Sequence, residues 1–456
     1  MSERTGTSIW SKFGADNVQP TDLSQRTMGL FSTFALWLGA NVVVTTVYTG
    51  MFFVPDLRFT TAIFIILLGS VIGGIPLTMV ATMGTATGLP TMALTRGSFG
   101  VRGSVLPSVI NIVILIGWAW VQAFMAGLSL NYAVKYATGY DNLALWTIVC
   151  EVIVVIVTLY GHRGIEAFER VVATGMLLVA LVVFWKLFTV FGVRTLLEMQ
   201  PSPKSGVTAA IAFDMVVATA ISWAPVAADY NRNCKSTRVS WWGTMSGYVL
   251  ATLVAMGTGA AVSGLSIASQ MEQTFDPTVL LARFGFGIPA ALVVFASVLT
   301  TNLVCVYSSA MSYLNLFPKT AFWKPALIIG IITVAGALYG GIMENFVNWI
   351  LLIGTLFMPL FAVMLADFHV FARGRYNTEE MLSTTGGRYW YASGVNWVAV
   401  VVYLVGAFAA YYWTKVSPLP YGATLPSFLM TFVLYVLAGY AFGLHRHHCS
   451  GKEEVR

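Results

Sequence analysis

The sequence predicts an all-α integral membrane protein with twelve transmembrane helices. Three observations carry that prediction. Of 456 residues, 57% are hydrophobic and only 10% charged, a balance that no soluble domain sustains over this length, so the bilayer is the expected solvent. Apolar windows of roughly 20 residues recur along the chain, each long enough to cross the hydrocarbon. Two of these windows, five spans apart, carry helix-breaking residues at matching depths.

The spans fall near residues 28–53, 60–84, 104–131, 143–160, 170–192, 208–230, 241–264, 287–314, 324–340, 344–371, 394–414 and 423–444. The segment "GLPTMALTRGSFGVRG" between the second and third is rich in glycine and too polar to span. With both termini in the cytoplasm, about 18 Lys and Arg residues fall on inner segments and about six on outer ones, the bias that orients membrane proteins. The net charge of +6 is therefore explained by orientation, and nucleic acid is not an expected partner. The polar start of the chain lacks an apolar core followed by a cleavage site, so the first span is expected to direct insertion into the inner (plasma) membrane. Cys150, Cys234, Cys305 and Cys449 are far apart, implying neither disulfides nor zinc.

The first span contains "LWLGANVVV", in which Gly39, Ala40 and Asn41 lie about 17 Å from the cytoplasmic end at helical rise. Glycine loosens a helix there, and asparagine competes for its backbone partners. The sixth span contains "ATAISWAPVAADYNRN", where Pro225 has no N–H and its ring opposes the Ile221 carbonyl, so the helix should open around Ser222 and Trp223. A repeat of five spans must return inverted, and interrupted helices at corresponding places in two inverted halves point to a transporter's central site. Five units follow: a cytoplasmic segment 1–27, a first repeat 28–192, an inverted second repeat 208–371, two additional helices within 394–444, and a cytoplasmic tail 445–456.

The eighth span, "FASVLTTNLVCVYSSAMSYLN", places Ser297, Thr300 and Thr301 on one helical face near mid-membrane. With carbonyls freed at the first break, these hydroxyls form an all-oxygen cage suited to a small hard cation; helix-packing glue is the alternative use. In the third span, "GWAWVQ" sets Trp118 and Gln122 one turn apart. An aromatic face beside an amide can stack on a planar ring and bond its edge, with helix-packing glue as the amide's alternative use, whereas Trp120 points elsewhere, to packing or lipid.

Taken in order, "GLPTMALTRGSFGVRGSVLPS", "GWAWVQ", "AADYNRN" and "TTNLVCVYSSAMSYLN" make the chain resemble the nucleobase:cation symporter-1 family, the cytosine, purine, uracil, allantoin and hydantoin permeases, over roughly residues 25–445. The resemblance implies a leucine-transporter-like fold of two inverted five-helix repeats with two extra C-terminal helices. It implies that Trp118 stacks on a heterocycle and Gln122 pairs with its edge, with Asn41, Ser222, Trp223 and Asn302 as further substrate contacts. It also implies sodium held by the carbonyls of Gly39 and Val42 and the hydroxyls of Ser297, Thr300 and Thr301. Two positions depart from the family pattern: Ala220 stands where an aromatic is expected, and Val306 where the hydantoin branch has asparagine.

The expected activity is therefore secondary symport of a nucleobase or related planar ring, driven inward by sodium, with the monomer as functional unit. A proton-coupled transporter of a thiamine-precursor pyrimidine, hydantoin or allantoin is the alternative, with Glu151 or Asp229 as proton carrier. An enzyme would need acid, base or metal ligands converging at mid-membrane, and the five histidines are in loops or the tail. A passive channel would lack coupling altogether. Glu151 and Lys186 are the charges set deepest in the spans and are expected to pair. Asp229, Arg232 and Asp367 sit at cytoplasmic ends, suited to gating or anchoring, and the "HRHHC" run from His445 to Cys449 reads as a juxtamembrane basic tail.

Overall fold

A computed structural model describes residues 20–159, 193–202, 206–268, 287–317, 319–339, 341–383 and 386–445, together with Gly175, Leu178 and Trp185. The fifth expected span with Lys186, the first 19 residues, and the tail beyond His445 lie outside the described residues, apart from those three single positions.

The helices that position the site are α1 (Leu30–Asn41), α2 (Val44–Met51), α3 (Phe59–Thr87), α4 (Thr91–Phe99), α5 (Val105–Thr138) and α6 (Leu143–Leu159). They continue with α7 (Ala209–Ser222), α8 (Ala224–Asn231), α9 (Thr237–Ala268), α10 (Gly287–Leu316), α11 (Trp323–Tyr339), α12 (Phe346–Ala366), α13 (Trp397–Tyr411) and α14 (Thr424–Ala441). Among the described residues, eight helices are long and apolar enough to cross a membrane by themselves, α7 with α8 counting as one. The bent pair α1–α2 makes a ninth, and the shorter apolar helices α6 and α11 occupy the fourth and ninth expected spans. A multi-span, all-helical protein is thus observed, while the number twelve rests on the sequence.

Both interruptions exist, with different geometry. The chain turns by 56° between α1 and α2. The helix runs through Gly39, Ala40 and Asn41 and leaves at Val42 and Val43, with Val43 extended at φ −126° and ψ 158°. The break is later than expected because the Asn41 side chain is spent on other side chains instead of competing for its own backbone. It donates to Thr252 Oγ1 at 2.7 Å and accepts from Thr46 Oγ1 at 3.2 Å. Among the described residues, the Val42 N–H returns to Leu38, but no backbone N–H crosses the break to the carbonyls of Gly39 through Val42.

The sixth span opens at Trp223 alone, and α8 restarts at Ala224. The opening is a single-residue step rather than a bend. Pro225 enters the first turn of α8, where its missing N–H removes no helical bond.

Small residues let the helices approach closely, the usual basis of packing in lipid. A Cβ added at Gly50 would sit 2.0 Å from the Met256 carbonyl oxygen, and one at Gly259 would sit 1.9 Å from that of Val47, so α2 and α9 meet backbone to backbone. Asn231, fully buried at the end of α8, ties four spans together. Its carbonyl oxygen accepts from Trp37 Nε1 at 2.9 Å, and its amide donates to Ser240 at 2.6 Å and Thr244 at 2.8 Å. Its backbone carbonyl accepts from Thr85 at 2.7 Å.

The glycine-rich connection after α3 folds into α4, a helix with every residue buried. The Asp229 carboxylate caps it by accepting the Thr91 N–H at 2.6 Å, the arrangement that best satisfies a free helix N-terminus. At the other end Arg96 donates to the Asn315 carbonyl at 2.8 Å. Asp367 accepts the hydroxyls of Tyr376 at 2.6 Å and Tyr435 at 2.8 Å. Hydrogen bonds accepted by these two acidic residues therefore tie α4 to α8, and Tyr376 and α14 to the end of α12. Cys150, Cys234 and Cys305 are buried free thiols.

Candidate functional site

Two broken helices and two unbroken ones line a cavity that, counted with the solvent space open to it, holds about 520 Å³ of atom-free space. Its walls come from the start of α2, the middle of α5, the α7–α8 step and the middle of α10.

One wall is built by helical periodicity. Trp118 and Gln122, four residues apart on α5, both face the cavity. The Trp118 ring is held edge-on by Phe346 with centroids 6.1 Å apart. Gln122 is 1% exposed; its amide nitrogen donates to Thr45 Oγ1 at 3.3 Å, while its carbonyl oxygen has no partner among the described residues. An unpaired carbonyl at that depth costs about 1–3 kcal/mol unless something fills the role of donor. The atom is therefore poised for a ligand's N–H.

The wall at the α7–α8 step carries Trp223, which occupies the residue where the helix opens. Its indole N–H donates to Asn41 Oδ1 at 3.0 Å, and its ring meets Trp37 edge-on at 6.4 Å. Ser222 also lines the cavity, although its hydroxyl donates to the Thr219 carbonyl at 2.7 Å. Threonines at 45, 46 and 49 of α2 add hydroxyls along one side. Sequence reasoning missed them; their signal is a Thr-Thr-x-x-Thr stripe directly after the break. Among the described residues lining the cavity, none is charged.

Two of the six sequence-derived substrate contacts lie elsewhere. Asn41 is fully buried and its amide is occupied by Thr252, Thr46 and Trp223, so it supports the wall without forming it. Asn302 points away from the cavity toward α6, where its amide donates to Glu151 Oε2 at 2.6 Å. Of the five residues expected to hold a cation, only Thr301 lines the cavity. Thr300 and Thr301 donate to the Ser297 carbonyl at 2.7 and 3.1 Å, leaving their lone pairs free. Ser297 Oγ is buried with no partner, and the carbonyls of Gly39 and Val42 belong to the open backbone at the first break. Each of these groups offers a hard, neutral oxygen, a donor type that a small hard cation accepts. Trp120 packs against Gly336 and donates to the Ile332 carbonyl at 3.1 Å, away from the cavity.

Comparison with known proteins places this geometry. A hydantoin permease from Microbacterium maritypicum is 24% identical over 405 residues, covering 85% of this chain and 82% of its own. A cytosine permease from Escherichia coli K12 is 26% identical, covering 88% and 89%. The inward-facing structure of Mhp1, a nucleobase-cation-symport-1 family transporter, superposes with a TM-score of 0.81 at 20% identity over 94% of this chain and 95% of that one. The fold is thus that of Mhp1. Residues 20–438 match the family described as permeases for cytosine/purines, uracil, thiamine and allantoin, and the chain belongs to that family.

Proposed function

We propose that the protein is a secondary active symporter that imports an uncharged nucleobase or related planar heterocycle across the inner (plasma) membrane, coupled to sodium by alternating access. The single observation that carries the substrate class is the buried carbonyl oxygen of Gln122, unpaired among the described residues, in a cavity that Trp118 and Trp223 also line. A flat ring with an N–H on its edge uses all three: two aromatic surfaces to stack on and one acceptor to pair. The absence of charge among the described lining residues favours a neutral ring, because an ion there would have no counter-charge. The permeases that resemble this chain act on hydantoin, cytosine and related rings.

Trp223 supplies the second stacking surface in place of the aromatic missing at Ala220. Sodium, as co-transported cargo, is assigned to the Gly39 and Val42 carbonyls with Ser297, Thr300 and Thr301, on the strength of the unpartnered Ser297 hydroxyl and the open carbonyls. The monomer is the functional unit in this reading.

A thermal-shift screen of the purified protein against cytosine, uracil, purines, hydantoin, allantoin and a thiamine-precursor pyrimidine, in sodium and in potassium, tests the reading. A ligand at 100 times its Kd adds about 2.7 kcal/mol to apparent stability. At least one ring should raise the melting midpoint, and more so in sodium. A protein indifferent to every ring in both salts would overturn the assignment.

A further inference from the structure

Glu151 lies in the middle of α6, about 12 Å from Leu143 at helical rise, and is 1% exposed. It faces α10 and α11. One oxygen accepts from Asn302 at 2.6 Å; the other has no partner among the described residues and lies 3.7 Å from the point where a side chain on Gly330 would begin. The carbonyl oxygen of Asn302, itself buried, is also unpartnered. Two orphan acceptors, one on each member of a hydrogen-bonded pair, share a single remedy. A protonated carboxyl donates to the amide oxygen while its other oxygen accepts from the amide nitrogen, so one proton supplies the donor that the pair lacks.

An ionised Glu151 would instead place a charge at membrane depth, where it costs several kcal/mol without a partner. The groups within electrostatic reach are the thiols of Cys150 on the same helix and Cys305 on α10. The charged and phenolic groups on the other packed helices are Tyr132, Tyr136 and Lys135 near the end of α5, the last bound to Asp141; Tyr307, two residues beyond Cys305, and Tyr313 near the end of α10; and Lys324 and Tyr339 at the two ends of α11. No basic side chain meets the carboxyl among the described residues, and Lys186 lies outside them.

We infer that Glu151 and Asn302 form a proton-binding site on the back of the cavity wall, separate from the cation donors, and that its proton is linked to occupancy of the cavity. The link is α10 itself. Asn302 follows Thr301 directly, and Cys305, one turn on, lines the cavity with Thr301. A proton on Glu151 holds α10 in the described position, so ligands that need that position bind together with the proton. By reciprocity, lowering the pH tightens ligand binding and binding takes up a proton.

This linkage rests on the transport reading; the proton site does not. Infrared pH-difference spectra of the purified full-length protein read the carboxylic acid directly. A C=O band of a protonated acid should be present at neutral pH in the wild type, absent in Glu151→Gln, and shifted in frequency in Asn302→Ala. Isothermal titration with the best ring from the thermal-shift screen, in two buffers of different ionisation enthalpy, reads the linked proton. Wild-type affinity should rise at least about fivefold between pH 8 and pH 6 with net proton uptake. Glu151→Gln imitates the protonated pair and should keep the low-pH affinity throughout, with no uptake. The proton site is overturned if no acid band is lost in Glu151→Gln, or if destabilisation by that change is relieved by Lys186→Met, which would mark an ion pair. The linkage is overturned if wild-type affinity ignores pH. A wild type that binds no ring overturns the transport reading and the linkage with it, while the infrared band still decides the proton site.

Discussion

The indole N–H of Trp223 donates to the side-chain oxygen of Asn41 at 3.0 Å, a bond between residues 182 apart in sequence that joins the two broken helices at their breaks. Asn41 holds that oxygen in place from the other side, through Thr252 at 2.7 Å. The cavity wall formed by Trp223 is therefore only as fixed as the first break.

Asn41→Ala is expected to weaken ring binding by about tenfold or more, the effect of losing roughly 1.4 kcal/mol, although Asn41 touches no ligand. Trp223→Phe removes the same hydrogen bond from the other end while keeping an aromatic ring. If the bond acts as a unit, the two changes together cost clearly less than the sum of each alone. Titration calorimetry on the four proteins of the cycle measures this. Additive losses would mean that Asn41 acts through Thr252 or Thr46 instead.

Gln122→Ala separates binding from folding. Its amide makes one bond of 3.3 Å to Thr45, and its carbonyl oxygen makes none. Removing a buried acceptor that lacks a donor costs little in the empty protein. The melting midpoint should stay near that of the wild type while ring affinity falls by about tenfold to a hundredfold. Wild-type affinity in a folded Gln122→Ala sample would return the amide to helix packing.

Asp214 fixes the last helix to the sixth span. Its carboxylate accepts from the backbone N–H of Ala423 at 2.7 Å, from that of Thr424 at 3.0 Å and from the Thr424 hydroxyl, so it caps α14 from a different helix. Gly422 allows this approach. Its φ is +90°, and a Cβ there would sit 2.5 Å from the carboxylate. Asp214→Ala strands the donors at the start of α14 and should cost about 2–4 kcal/mol. Gly422→Ala should act in the same direction by pushing the carboxylate away. Melting curves of both variants in detergent check it, and unchanged midpoints would show that α14 needs no cap.

Much of this arrangement was legible because it obeys local rules. The apolar windows coincide with the helices among the described residues, Pro225 marks the step at Trp223, and the four-residue spacing of Trp118 and Gln122 puts both on the cavity side of α5. What escaped depends on partners far along the chain. The connection after α3 reads as a loop until Asp229 and Asn315, more than 130 residues away, are brought to its two ends. Asn302 looks like a ligand contact on a polar helix face, but α6 stands behind that face and Glu151 claims the amide. Asn41 has the right depth for a substrate contact, and only the packing of α9 decides that its amide is spent on Thr252.

The cation assignment makes the last prediction. Thr300 and Thr301 already direct their protons to the Ser297 carbonyl, so what they offer outward is lone pairs. Ser297 Oγ, buried and unpartnered, offers more. An ion bound by these oxygens and by carbonyls of the first break would join α10 to the α1–α2 bend. Its binding energy would favour whichever arrangement brings the two together. Reciprocity requires that sodium tighten ring binding by the same factor by which the ring tightens sodium binding. Thr300→Val with Thr301→Val keeps the volume and removes two oxygens, so ring affinity should lose its sodium dependence. Ring titrations at several sodium concentrations and two pH values, on the wild type and the double variant, read this. An affinity that follows pH but ignores sodium in the wild type would remove sodium from the cycle and leave the proton as the coupled ion. A double variant that still responds to sodium would place the ion elsewhere.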